Sequence, residues 1–218
     1  MNSYEKLLSS NRRWAAEKVA TDPDYFNRLV NTQTPEYLWI GCSDSRVPPN
    51  EITQTQPGEV FIHRNVANLV VHTDMNLLSV LQYAVEVLKV KHIIICGHYN
   101  CGGVKVAMSK TQHGLIDNWL RHIKDVYLLH EAELDALPEA ERFKRLVELN
   151  VAEQAMNLAK TTIVQQAWQR GEYPFIHGWV YDLSDGLIDP ICEINKADEW
   201  ESDIYNYDAL DNLTAASH

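Results

Sequence analysis

The sequence predicts an α/β fold with a mainly parallel central β-sheet flanked by helices. Short, almost continuously apolar runs at residues 37–42, 59–64 and 91–98 have the length and composition of buried strands. A helical pattern separates the second run from the third, and this alternation is typical of parallel sheets covered on both faces. Because ligands of such sheets bind beyond the carboxyl ends of the strands, the residues that follow these runs are the first candidates for a functional site.

An N-terminal helical arm is predicted before the first strand, over residues 1–34. Apolar residues recur there at helical spacing among charged ones, first over residues 4–20 and again over residues 23–30. The first strand ends in Gly41 and Cys42, and a Pro-Gly turn precedes the second strand. Thr73 or Asp74 can cap the helix that follows.

The second half of the chain predicts further helices and a hairpin-like strand pair. We expect helices over residues 101–109, about 115–130 and about 139–170, the last as one long helix. Two strand-like runs then flank the turn signal Ser-Asp-Gly at 184–186. The whole chain, residues 1–218, is interpreted as one domain, with an α/β core at 35–195 and an acidic tail at 196–218 that forms a short helix or is disordered.

The charge balance argues against polyanionic partners. The chain has 19 Lys and Arg against 30 Asp and Glu, and its net charge of -11 repels nucleic acid and anionic lipid. The first residues contain no apolar run of signal-peptide length, and no later stretch approaches about 18 uninterrupted apolar residues. We therefore expect a soluble, cytoplasmic protein that binds neither nucleic acid nor a membrane and acts on a small substrate.

Two polar clusters follow the ends of predicted strands. They are Cys-Ser-Asp-Ser-Arg at residues 42–46 and Gly-His-Tyr-Asn-Cys-Gly-Gly at residues 97–103, and adjacent parallel strands would bring them together. Zinc accepts thiolate, imidazole and carboxylate ligands, and catalytic zinc sites keep three protein ligands so that water can take the fourth position. Cys42, His98 and Cys101 supply three such ligands, and Asp44 is a movable fourth.

Asp44 and Arg46 suggest a two-position switch. They lie two residues apart in an extended segment, so their side chains share one side and can form an ion pair whenever a metal does not hold the carboxylate. A structural interpretation stays open for the cysteines, since Cys in an apolar strand is commonly a core residue. A Cys42–Cys101 disulfide is disfavoured in a reducing compartment. Cys96 is interpreted as a core residue.

The motifs CSDSRV, HRNVAN at residues 63–68 and GHYNCGG together resemble the β-class carbonic anhydrases over nearly the whole chain. The order of IGCSDSRVP, VHTDMN, HIIICGH and LIDNWL is most similar to the bacterial-type branch of that family. The resemblance implies one Zn2+ per chain, with Cys42, His98 and Cys101 as permanent ligands. It also implies that Asp44 alternates between zinc and Arg46 during the reversible hydration of carbon dioxide to bicarbonate and a proton.

The same resemblance implies an assembly and a regulatory site. The family forms homodimers that often pair into a dimer of dimers, or homotetramer, with N-terminal helices reaching over a neighbouring subunit. A branch with a non-catalytic bicarbonate site is similar at Trp39, Arg64 and Tyr181, which implies allosteric inhibition by bicarbonate. The chain departs from that pattern at Asn50, where an acidic residue is usual near Arg64.

Two other functions fit the same residues. A zinc-stabilised interaction domain would have all four metal positions permanently filled. A related hydrolase would use the same zinc site on carbonyl sulfide or carbon disulfide, which are linear apolar analogues of carbon dioxide.

Overall fold

The elements follow the predicted alternation of strands and helices. A computed structural model of the chain describes residues 2–171, 173–198, 203–205 and 207. The helices are α1 (Ser3–Thr21), α2 (Asn27–Val30), α3 (Pro49–Ile52), α4 (Met75–Gln82), α5 (Gly102–Ala107), α6 (Ile116–Leu129), α7 (Glu131–Asp135), α8 (Glu139–Ala159) and α9 (Thr162–Arg170). The strands are β1 (Tyr37–Cys42), β2 (Val60–Asn65), β3 (His92–His98), β4 (Phe175–Tyr181) and β5 (Ile188–Ile194). Short 3-10 segments lie at Val66–Asn68 and Asp203–Tyr205, and a π-helical stretch, Tyr83–Leu88, continues α4.

The residues up to Thr34 form one compact unit and those from Pro35 onward form a second. Within the first unit, α1 begins with a capping box, in which the Asn2 side chain accepts from Glu5 N and the Glu5 carboxylate accepts from Asn2 N. The second predicted helix is shorter than expected. Asp22 accepts a hydrogen bond from Asp24 N, and this turn delays the start of α2 until Asn27.

The central sheet has five strands in the order β2-β1-β3-β4-β5. β1 lies parallel to both β2 and β3, β3 lies parallel to β4, and β5 runs antiparallel to β4. The predicted mainly parallel sheet and its C-terminal antiparallel pair are therefore confirmed. Because β1 and β3 are parallel neighbours, Cys42 and His98 end at the same edge of the sheet.

One face of the sheet packs closely against α8. Val151 of α8 is fully buried on the backbones of β3 and β4, at a glycine in each strand. A Cβ atom at Gly97 would lie 2.6 Å from Val151 Cγ2, and one at Gly178 would lie 2.9 Å from Val151 Cγ1. The helix can approach the sheet this closely because neither strand carries a side chain there.

The opposite face carries a smaller apolar cluster. Trp39, Ile94 and Cys96 are buried in it, with Trp179 and Tyr181 packed against them. Cys96 is thus a core residue, as the sequence predicts.

The prediction of a single long helix over residues 139–170 is wrong. The structure has two helices, since α8 ends at Ala159 and Thr161 caps α9 by accepting a hydrogen bond from Val164 N. The short helix α7 was also not predicted. Of the predicted tail beyond residue 198, only Asp203–Tyr205 and Tyr207 fall within the described residues. None of the helices in the described ranges combines the length and apolar character that a membrane span requires.

Candidate metal centre

Three potential metal ligands converge at the carboxyl edge of the sheet. Cys42 ends β1, His98 ends β3, and Cys101 immediately precedes α5. The ligand atoms of these residues all lie within 4.8 Å of one another, and all three side chains are buried. The two sulfur atoms are 4.0 Å apart, and both cysteines are free thiols. The structure therefore brings together the three residues that the sequence singles out as permanent ligands.

The orientation of His98 suits a metal ligand. Its Nδ1 lies 3.0 Å from the Tyr99 carbonyl oxygen, which can only accept a hydrogen bond, so Nδ1 carries the proton. Nε2 is then a lone-pair donor. It is fully buried and has no hydrogen-bond partner in the described part of the chain. A buried nitrogen left unpaired beside two thiols fits a metal ion, and this donor set is one that zinc accepts.

The two thiols share one hydrogen bond that separates their acidities. Donation from Cys101 lowers the pKa of Cys42, although burial opposes its ionisation. The nearby backbone N–H groups of Asp44 and Ala67 also lower the pKa of Cys42. The same hydrogen bond raises the pKa of Cys101, and burial adds to the effect. One thiolate is thus already stabilised by the fold, and a cation would displace the remaining proton.

Asp44 lies beside the three ligands and is paired with Arg46. Arg46 Nε donates to Asp44 Oδ1 at 2.9 Å, and Arg46 Nη2 donates to Asp44 Oδ2 at 2.7 Å. These hydrogen bonds from Arg46 hold the pKa of Asp44 well below its usual range. Asp44 Oδ2 is also 3.7 Å from His98 Nε2. The carboxylate is therefore ionised and adjacent to the cluster while it is engaged with the guanidinium.

The three residues expected to bind bicarbonate lie on strands β1, β2 and β4. The alternation of side chains places Trp39, Arg64 and Tyr181 on one face of the sheet. Arg64 Nε donates to the Cys42 carbonyl at 2.8 Å, and Arg64 Nη2 donates to the Asp44 carbonyl. Arg64 thus contacts the backbone of the ligand-bearing segment.

Sequence reasoning missed two buried amides behind the cluster. Asn150 and Gln154 of α8 are each 1% exposed and hydrogen-bond to the segment that follows β2. Polar residues four apart in the apolar stretch LNVAEQA were a signal that could have identified them. In that segment, Ala67 and Asn68 have positive φ angles of 64° and 49°.

The fold and this donor set define a class of protein, the α/β enzymes with a metal site of mixed thiolate and imidazole ligands. Residues 37–188 match the family model described as carbonic anhydrase. The chain belongs to the carbonic anhydrase family, in its β class. The prediction that it is an enzyme of this type is therefore confirmed.

Several relatives illustrate the match. A carbonic anhydrase from Emericella nidulans is 54% identical over 187 residues, which cover 85% of this chain and 82% of that protein. The structure of a Coccomyxa β-carbonic anhydrase in complex with acetazolamide is 41% identical, with a TM-score of 0.85 and 89% of each chain covered. One of two tetrameric β-carbonic anhydrases from Sordaria macrospora is 42% identical, with a TM-score of 0.83 and 89% of this chain and 100% of that chain covered. The bacterial-type branch stays a prediction.

Proposed function

We propose that this enzyme hydrates carbon dioxide reversibly to bicarbonate and a proton at one zinc ion per chain, held by Cys42, His98 and Cys101. The observation that carries the proposal is the buried Nε2 atom of His98, which has no hydrogen-bond partner among the described residues and belongs to a ring whose ligand nitrogen lies within 4.8 Å of both thiol sulfurs. When bound, zinc supplies the Lewis acidity that makes a water molecule a nucleophile near neutral pH. Two thiolates cancel the charge of a divalent ion, so this donor set acidifies water less than three neutral imidazoles would. We expect activity to favour alkaline pH.

Asp44 and Arg46 would control access to the site. While the Arg46 side chain holds Asp44 by two hydrogen bonds, the carboxylate stays ionised and is free to accept a further hydrogen bond that orients the nucleophile. Because Asp44 Oδ2 lies 3.7 Å from His98 Nε2, the same carboxylate can turn to the metal position once Arg46 releases it. Asp44 would thus serve as a switch as well as a hydrogen-bond acceptor.

Bicarbonate would also inhibit the enzyme through Trp39, Arg64 and Tyr181. The contact between Arg64 and the Asp44 carbonyl supports this proposal, since an anion that draws the guanidinium away would alter the backbone that carries Asp44. Asn50, the position at which the chain departs from the family pattern, instead donates to Thr55 Oγ1 at 3.1 Å. Cooperative inhibition by bicarbonate that is lost in Arg64→Ala and in Tyr181→Phe is the expected result. If the parent protein shows hyperbolic inhibition by bicarbonate and both zinc-loaded variants show the same inhibition, the proposed bicarbonate site is contradicted.

We further propose that the enzyme works in the cytoplasm as a homodimer or a dimer of dimers. The similarity to tetrameric relatives supports the assembly, as does the arm, where Tyr4, Leu7 and Leu8 are 61%, 72% and 53% exposed. Light scattering of Leu7→Glu against the parent protein tests the role of the arm. An unchanged mass in the variant contradicts it.

A carbon dioxide hydration assay across pH, with zinc measured on the same sample, tests the proposed activity. We expect rapid hydration that rises toward alkaline pH in zinc-loaded protein and is lost in Cys101→Ala. Cys192→Ala is a matched control, because this free cysteine lies on β5, away from the cluster. Only trace hydration at every pH in zinc-loaded protein would favour a zinc-stabilised interaction domain. Preferred turnover of carbonyl sulfide or carbon disulfide in direct competition would favour the hydrolase.

A further inference from the structure

A short strained segment lies against both thiol-bearing parts of the site. It comprises Val66–Asn68, and Ala67 adopts the left-handed conformation with φ 64° and ψ 29°. Asn68, with φ 49°, also lies in the left-handed region. This conformation is unfavourable for a residue with a Cβ atom and is rare for alanine, so contacts elsewhere in the fold must maintain it.

The segment packs beside Cys42 on one side. Asn65, which precedes the segment, is paired with Cys42 across β1 and β2, and Ser43 N donates to the Asn65 carbonyl at 2.8 Å. From this position the segment continues past the end of β1, where Cys42 lies. The positive φ of Ala67 lets the chain turn as it leaves the strand.

On the other side, the segment contacts the start of α5, just after Cys101. A Cβ atom at Gly103 would lie 3.1 Å from both Ala67 Cβ and Val66 Cγ1. The backbone of the segment therefore has little room to move toward α5. A change in its conformation would disturb the surroundings of both sulfur atoms.

Two buried amides on α8 hold the segment in place. Asn150 Nδ2 donates to the Ala67 carbonyl at 3.2 Å, and Gln154 Nε2 donates to Asn150 Oδ1 at 3.2 Å. Gln154 Oε1 in turn accepts from Val70 N at 2.7 Å. This chain of three hydrogen bonds ties the middle of the segment, and Val70 two residues beyond it, to one helix. Because a buried amide without partners is costly, each bond constrains the others.

We propose that Asn150, oriented by Gln154, is a positioning residue that keeps Ala67 left-handed and holds the Val66–Asn68 segment in place between the end of β1, at Cys42, and the start of α5, just after Cys101. The proposal rests on the proposed zinc site, because its consequence is that the two cysteine ligands are preorganised. Residues that support metal ligands from behind fix the positions of those ligands and contribute to metal affinity. Asn150 would act through the backbone, without touching the metal or the substrate.

The test measures the zinc dissociation constant by chelator competition in the parent protein and in Asn150→Leu, which removes the amide at similar volume. We expect the zinc affinity to fall by about 10–100-fold. Gln165→Leu is the matched control. Gln165 is also a buried amide, 7% exposed, whose Nε2 donates to a backbone carbonyl, that of Ala159 at 2.8 Å. This control should lose thermal stability yet keep its zinc affinity within about twofold of the parent value, since its amide does not support a metal ligand.

A rescue variant separates positioning from general stability. Glycine adopts positive φ readily, so adding Ala67→Gly to Asn150→Leu should restore zinc affinity by about fivefold. If Asn150→Leu does not fold, Gln154→Met takes its place. We then expect a smaller loss of zinc affinity and a smaller rescue by Ala67→Gly. Parent-like zinc affinity in a folded Asn150 or Gln154 variant overturns the proposal, and so does an equal loss in Gln165→Leu. Failure of the parent protein itself to bind zinc would instead refute the proposed function.

Discussion

Replacing Gly97 with alanine should disturb the packing directly behind a proposed ligand. The new Cβ atom would lie 2.6 Å from Val151 Cγ2 and 3.4 Å from Asn68 Oδ1, and the first distance is too short for any real contact of this kind. Val151 is fully buried and also lies against Gly178, so it has no free space to enter. Either α8 or the end of β3 must therefore move, and His98 is the residue that directly follows Gly97 on β3.

The expected cost follows from this overlap. Overpacking a well-filled core costs about 1–3 kcal/mol, and we expect Gly97→Ala to lower the free energy of unfolding by about 2 kcal/mol. For a chain of this length, that corresponds to a fall of about 4–8 °C in the unfolding temperature. Val151→Ala removes the methyl groups that cause the overlap. The double variant should therefore lose about 1–2 kcal/mol less free energy of unfolding than the two single variants lose together.

Thermal and urea unfolding of the four proteins, zinc-loaded and at one concentration, measures this double-mutant cycle. Gly171→Ala is the control, because, apart from the chain neighbours of that glycine, no atom of the described residues lies within 4 Å of a Cβ built there. A Gly97→Ala variant as stable as the parent protein refutes the packing argument. Strict additivity of the two single costs refutes it as well.

Three further outcomes are expected. Asp44→Asn should retain zinc and lose about 10²–10⁴-fold in carbon dioxide hydration, measured by stopped flow with metal analysis, and a parent-like rate at every pH would refute its role. Removing zinc with a chelator should lower the free energy of unfolding by about 4 kcal/mol where the free metal exceeds its dissociation constant about 1,000-fold, and an unchanged unfolding temperature would argue against a specific site. Burial lowers the pKa of His63 in the folded protein, so the unfolded chain binds more protons as the pH falls. The stability that is present above the pKa of this histidine in the unfolded chain is therefore lost toward lower pH. His63→Gln should therefore lose less stability than the parent protein between about pH 7 and about pH 5, as urea unfolding at both pH values would show.

The sequence predicts the sheet and the edge where the site lies because both depend on local patterns. The apolar run of β1 agrees with the predicted bounds at both ends, and β3 begins one residue later than expected. Polar residues that directly follow such runs must meet at one edge when the strands are parallel neighbours. Cys42 and His98 could therefore be placed together without knowledge of the intervening helices.

The remaining features depend on contacts between distant parts of the chain. Ala67 is left-handed in the structure, and its carbonyl is held by a residue 83 positions away, Asn150. No local pattern indicates such a conformation for alanine. Thr161 interrupts a stretch that remains helical in its apolar spacing, because its side chain competes for a backbone N–H and starts a new helix. Both cases show tertiary or capping interactions prevailing over the periodic signal.

X-ray absorption at the zinc edge of the purified, zinc-loaded protein tests the central claim most directly, because it counts the atoms bound to the metal. We expect two sulfur atoms at about 2.3 Å, one nitrogen at about 2.0–2.1 Å and one further nitrogen or oxygen atom, as Cys42, Cys101 and His98 with an exchangeable fourth ligand would give. The sulfur count should fall to one in any residual zinc bound by Cys101→Ala and stay at two in Cys192→Ala. A parent spectrum with no zinc–sulfur distance, or with three or more sulfur atoms, would contradict the site.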